Sequence, residues 1–128
     1  MSNLIVDAAK DKIFLTHIFD KNIYTSSHEN SKINFDRLII LIVNFLKNHK
    51  NSLDDIDAIY VNKGPGSFAG IRGSIATAKA LFLTKKIDYY CFSFTDFKGT
   101  ETSEYKNVPQ LCQKYKIKKN LINPIYLS

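Results

Sequence analysis

Short apolar stretches rich in β-branched residues, separated by polar breaks, open the chain. Asn3 to Ala8 and Lys12 to Phe19 flank Ala9, Lys10 and Asp11 and predict a hairpin with a tight turn. A third short strand, Asn22 to Ser26, follows Asp20-Lys21. Ser31 then offers a helix cap, and a helix is expected to about His49, with Asn51-Ser52 breaking it. Ile56 to Val61 reads as a fourth strand. Gly64 to Gly66 turns the chain into a second helix, about Phe68 to Thr84, and Tyr89 to Phe94 reads as a fifth strand. From Lys98 to Glu104 the chain is polar, as in a surface loop. A short helix from about Pro109 to Lys118 and an extended tail, Asn123 to Ser128, are expected to close the domain.

The order βββαβαβ predicts an α/β fold: a mixed sheet with helices packed on it, as in ribonuclease H-like and actin-like domains. The first helix has more apolar residues than one stripe needs. Leu38, Ile39, Ile40, Leu41, Ile42, Val43, Phe45 and Leu46 encircle the axis, so its second face calls for cover by the other helix or by another chain. The second helix carries Gly73, Ala76, Thr77 and Ala80, small residues at helical spacing that let another backbone approach closely. Leu38, Ile42 and Phe45 with these four form the expected partner interface.

Composition narrows the class. At 128 residues, 45% apolar and 23% charged, the chain has the size and make-up of one globular domain. Its longest apolar run, Leu38 to Val43, is far short of the roughly 20 residues that span a bilayer, and Asp7 and Lys10 interrupt what a signal peptide would keep apolar. A cytoplasmic protein with no membrane role is expected. Cys91 and Cys112 form no metal-binding pattern and read as reduced, structural thiols. The net charge of +6 rests on sixteen lysines and two arginines, which fits biased coding or a nucleic-acid surface. Lys114, Lys116, Lys118 and Lys119 make one basic cluster.

The turn Gly64-Pro65-Gly66-Ser67-Phe68-Ala69-Gly70-Ile71-Arg72 sits between a strand and a helix, where backbone N–H groups can face an anion. It fails the P-loop pattern, because Ile71 follows Gly70 where a lysine is needed. It fits a dinucleotide turn poorly, since three strands precede it. With Ile75-Ala76-Thr77-Ala78-Lys79-Ala80-Leu81 behind it, this stretch closely resembles the signature of the TsaB (YeaZ) family, departing from its usual form at Ala69 and Gly73. Leu4-Ile5-Val6-Asp7 resembles the family's first strand, His28-Glu29 the approach to its first helix, and Leu53 to Ile59 its lead into the turn. Asn123-Pro124-Ile125-Tyr126-Leu127 is similar to its C-terminal end.

Family members usually run to about twice this length, so the resemblance implies a shortened member. Residues 1–97 would be the actin-like (ASKHA) N-terminal subdomain and 98–128 a reduced connection and tail. It implies a non-catalytic part in making threonylcarbamoyladenosine beside the anticodon of tRNAs that read codons starting with adenine. The partner would be a TsaD-like catalytic subunit that holds ATP and a metal, joined by a TsaE-like ATPase, with tRNA met indirectly. The family's first two helices form the contact with TsaD. This chain would need no cofactor of its own.

Independent chemistry has little support in the residues. Asp7 is the only acid at a strand end near a turn, where an actin-like enzyme faces a metal-bound nucleotide, but one carboxylate is not a metal site. His17, His28 and His49 are scattered and read as structural or solvated, and Ser67 and Ser93 lack a base. Arg72 is expected to fix the turn or meet a partner's carboxylate. Two other readings stay open: a self-sufficient actin-like nucleotide-binding domain, and a homodimeric structural protein using the same helix faces. Gly64 and Gly66 are both expected in backbone conformations poor for other residues.

Overall fold

The computed structural model describes residues 1–97 and 104–122. Three strands, β1 (Ser2–Asp7), β2 (Lys12–Phe19) and β3 (Asn22–Glu29), form an antiparallel meander. Two more, β4 (Ala58–Asn62) and β5 (Asp88–Phe92), run parallel to β1. The five make one sheet in the order β3-β2-β1-β4-β5. β3 pairs along its whole length with β2, from Lys12↔Glu29 to Phe19↔Asn22, and so runs past the expected Ser26.

Side-chain alternation splits the sheet into two buried faces. Leu4, Val6, Ile13, Leu15, Ile59, Val61, Tyr89 and Cys91 meet the helices. Ile5, Ala58, Tyr60 and Phe92 point the other way, where Phe97, Val108 and Cys112 cover them. The second layer is built by α4 (Val108–Lys114) and the short 3₁₀ segments Phe94–Asp96 and Tyr105–Asn107. Pro109 sits in the first turn of α4, where its missing N–H costs nothing. The helix ends before the expected Lys118, as Ile117 N–H reaches back to Cys112 O and Lys116 turns left-handed at φ 56°. The expected loop Lys98 to Glu104 falls outside the described residues except for Glu104, and the expected tail lies outside them.

The helix expected from Ser31 to His49 is two helices, α1 (Lys32–Asp36) and α2 (Leu38–Asn48). Ser31 does cap the first, accepting from Asn34 N–H at 3.2 Å. The break is at Arg37, with φ −111° and ψ 21°. It lets α1 follow the long helix α3 (Phe68–Lys85), where Phe35 packs against the bare backbone of Gly73, while α2 sets Leu38, Ile42, Phe45 and Leu46 into the core. β4 starts after the expected Ile56 because Leu53–Asp55 forms a 3₁₀ turn, with Ser52 N–H bonded to the Asp55 carboxylate at 2.9 Å. β5 stops before the expected Phe94 for the same reason: Ser93 N–H binds the Asp96 carboxylate at 2.9 Å.

Candidate functional site

The glycine turn is a packing device. Gly64 has φ 109°, a region closed to most side chains, and its N–H is held by Asn62 Oδ1 at 2.9 Å. Gly66 is not left-handed, which corrects half of the expectation. A Cβ there would collide with the Ala9 carbonyl, so contact and not backbone angle requires glycine. Gly70 presses against the Ala8 carbonyl in the same way.

Three more of the turn's N–H groups are committed. Ser67 N–H binds Ala9 O at 2.9 Å, Gly70 N–H binds the Ser67 hydroxyl at 3.2 Å, and Ile71 N–H binds Ser67 O at 2.9 Å. These donors face the chain itself, which leaves no phosphate cradle among them. What the turn does is clamp the start of α3 to the β1–β2 hairpin. Pro65 is exposed on the turn and follows a cis bond from Gly64.

Asp7 serves the same clamp. Its side chain is fully buried and accepts from Ala9 N–H at 3.0 Å, Asn62 Nδ2 at 3.1 Å and the Tyr105 hydroxyl at 2.6 Å, with Lys10 Nζ at 3.8 Å. Burial, and then the charge of Asp7, push the Tyr105 hydroxyl well above its ordinary range, so it stays protonated and donates. This corrects the reading of Asp7 as a nucleotide-facing remnant. The carboxylate joins β1, β4 and the second layer and opens onto no cleft.

Beyond the turn, side chains project outward. Phe68 is 48% exposed, and the Arg72 guanidinium lies 5.2 Å from its ring centroid. Arg72, Ala76 and Ala80 are exposed at four-residue spacing along α3, beside half-buried Gly73 and Thr77. A groove of about 650 Å³ runs between α1 and α3, lined by Phe35, Phe68, Arg72, Gly73 and Ala76.

On α2 the expected interface residues are corrected. Leu38, Ile42 and Phe45 are 1%, 0% and 5% exposed and belong to the core. The apolar side chains that do reach the surface are Ile39, Ile40 and Val43, each about 40% exposed, with Ile33 on α1. Helical period explains the shift: with Leu46 also down on the sheet, residues one step off that stripe face outward.

Sequence reading missed a buried polar chain. Ser2 Oγ lies 2.7 Å from His17 Nε2, and His17 Nδ1 lies 2.8 Å from His49 Nε2. Tyr24 stacks on His49 with ring centroids 3.9 Å apart. Burial first, and then the neighbouring His49, hold the His17 pKa down at about 4, while Asp55 pulls the other way. Burial also lowers His49. The available signal was alternation: His17 follows Ile13 and Leu15 at inward positions of β2.

No cluster of three or more potential metal ligands occurs among the described residues. Cys91 and Cys112 are buried, and burial pushes their thiols up to about 11 and about 12, so neither is a ready nucleophile. Among the described residues no helix is long and apolar enough to cross a membrane.

Residues 28–113 match the family model for TsaD, tRNA N6-adenosine threonylcarbamoyltransferase. A curated relative from Buchnera aphidicola subsp. Schizaphis graminum, tRNA threonylcarbamoyladenosine biosynthesis protein TsaB, is 34% identical over 95 residues, which is 73% of this chain and 45% of the relative. The chain belongs to the TsaB (YeaZ) family, within this TsaD-like group.

YeaZ from Pseudomonas aeruginosa superposes with a TM-score of 0.66 at 20% identity, covering 72% of this chain and 43% of that one. T. thermophilus RuvC, solved with a Holliday junction substrate, superposes with a TM-score of 0.53 at 9% identity over 96% of this chain and 83% of its own. The expected ribonuclease H-like and actin-like fold is thereby borne out. The chain spans less than half the length of the TsaB and YeaZ relatives it matches.

Proposed function

We propose that this chain is a non-catalytic partner subunit in the synthesis of threonylcarbamoyladenosine in tRNA. It docks a TsaD-like catalytic subunit through the outer face of its helical layer. That catalytic subunit carries the ATP and metal chemistry, a TsaE-like ATPase joins the assembly, and tRNA is met through the complex in the cytoplasm. The modified position is the adenosine beside the anticodon of tRNAs that read codons starting with A.

One observation carries the reading: Ile39, Ile40 and Val43 stand exposed on α2 while α3 offers a surface strip of Gly73, Ala76, Thr77 and Ala80. A strip with so little side chain brings another backbone close, and exposed aliphatic residues next to it gain from being covered. The Arg72 guanidinium beside the groove is placed to meet a carboxylate at the rim of such a contact. A non-catalytic role draws support from the occupied hydrogen-bond sites of Asp7 and the raised, buried thiols.

The test is co-purification with the same organism's TsaD-like protein, followed by nucleoside analysis of tRNA after the gene is deleted. Stable co-elution and loss of the modified nucleoside are expected. A chain that elutes only as a homodimer, or that hydrolyses ATP by itself, would overturn the proposal in favour of a structural or self-sufficient actin-like domain.

A further inference from the structure

The sheet face opposite the helical layer carries an open groove of about 700 Å³, bounded by the ends of β1 and β2, by β4 and β5, and by α4. Asn3 lines it and is 7% exposed, and its Oδ1 is the buried side-chain oxygen that has no hydrogen-bond partner among the described residues. Leaving such an acceptor unpaired opposes folding, so its presence needs a reason. A half-turn of the carboxamide presents either its acceptor or its donor to the groove.

Tyr60 and Tyr90 lie beside it as a stacked pair, Tyr60 buried and Tyr90 half-buried. They are in register on β4 and β5, with ring centroids 4.9 Å apart and planes 9° from parallel. Asn3 stands on the same sheet face, two residues before Ile5, the residue in register with Tyr60. Lys106 and Lys116 line the groove as well, both exposed; Lys106 Nζ also lies 3.7 Å from Glu104 Oε2, and the Lys116 backbone is left-handed at the end of α4. Asp20, the one acid lining it among the described residues, sits 4.0 Å from the N-terminal ammonium.

These groups ask for a flat ring with a hydrogen-bonding edge and a nearby anion. A carboxamide matches the paired donor and acceptor on adenine's edge, aromatic walls stack on bases, and lysines hold phosphate. We propose that this groove binds one adenine nucleotide, with its base edge on Asn3 beside the Tyr60 and Tyr90 rings and its phosphate at Lys106 and Lys116. The nucleotide is either free or an unpaired residue of an RNA strand. The site lies across the sheet from the helical docking face, so its failure would leave the partner proposal standing, and the reverse.

The experiment titrates the full chain with AMP, adenosine, ribose 5-phosphate and a short single-stranded oligoadenylate RNA, followed by NMR shifts of the tyrosine and asparagine side chains. Saturable AMP binding stronger than that of adenosine or ribose 5-phosphate is expected. Much tighter binding of the oligonucleotide assigns the site to an RNA strand, and equal binding to the free nucleotide; both support the shared chemistry. Asn3→Leu is expected to weaken AMP about tenfold with an unchanged or raised melting temperature, since it removes an unpaired acceptor. The double variant Lys106→Gln, Lys116→Gln is expected to bring AMP down to the affinity of adenosine without changing adenosine itself. Absence of saturable binding to AMP and the oligonucleotide, ribose 5-phosphate binding as well as AMP, or undiminished AMP binding to folded Asn3→Leu would overturn the proposal.

Discussion

His17 Nδ1 and His49 Nε2 face each other at 2.8 Å, in surroundings that favour two neutral rings over a charged one. An unfolded imidazole takes up its proton near 6.5, whereas folded His17 does so only near 4. Between those values the unfolded chain binds more protons, so stability is full above about pH 6.5 and falls as the pH drops through the window. The slope is about 1.4 kcal/mol per pH unit, on the order of 3 kcal/mol across the whole range. Urea denaturation at a series of pH values checks this, and His17→Leu should flatten the dependence. Tyr105→Phe tests the Asp7 clamp: a hydrogen bond to a buried carboxylate is worth about 1.5–3 kcal/mol, and thermal unfolding should show a loss of that order. The glycine turn was legible as a motif but not in its cause. The collision reserved for Gly66 is with Ala9, distant in sequence, and no local pattern encodes it.

At the scale of elements, α2 and α3 divide their residues between core and surface in a way that makes the docking proposal separable from stability. Ala76 is exposed, so Ala76→Phe should leave the melting temperature of the isolated chain nearly unchanged. In a close helix contact the same ring costs about 1–3 kcal/mol, up to roughly a hundredfold in affinity, read as lost co-elution with the TsaD-like partner. Ile42→Ala is the converse. Its side chain is fully buried, so it should lower stability by about 2–5 kcal/mol, measured by denaturation, without touching the surface. Sequence pattern located both helices but not which residues of α2 face out. Eight apolar residues around one axis contain no polar stripe to orient it, and the break at Arg37 turns the helix relative to α1. On the near side of that break Phe35 of α1 packs against Gly73 of α3, a contact between helices that no local pattern encodes.

For the molecule as a whole, topology was the most readable level. Three β-branched stretches, a glycine turn between strand and helix, and short connections admit few arrangements, and the sheet order β3-β2-β1-β4-β5 is one of them. The second layer was less readable, because residues 104–122 scatter their apolar side chains among lysines over short segments, and these reach the sheet through Val108 and Cys112 with Tyr105, Leu111, Tyr115 and Ile117 around them. That two-faced build places one thiol on each side: Cys91 in the helix-side core, Cys112 in the opposite one, both more than nine-tenths buried. The pair therefore acts as two clocks for breathing motions. Under native conditions a thiol reagent reaches each sulfur only when its own layer opens, so the two labelling rates report two opening free energies. The small second layer should lift first, giving Cys112 the faster rate, as mass spectrometry of partially labelled chains would record. Equal rates would mean that the sheet releases both covers in a single cooperative event.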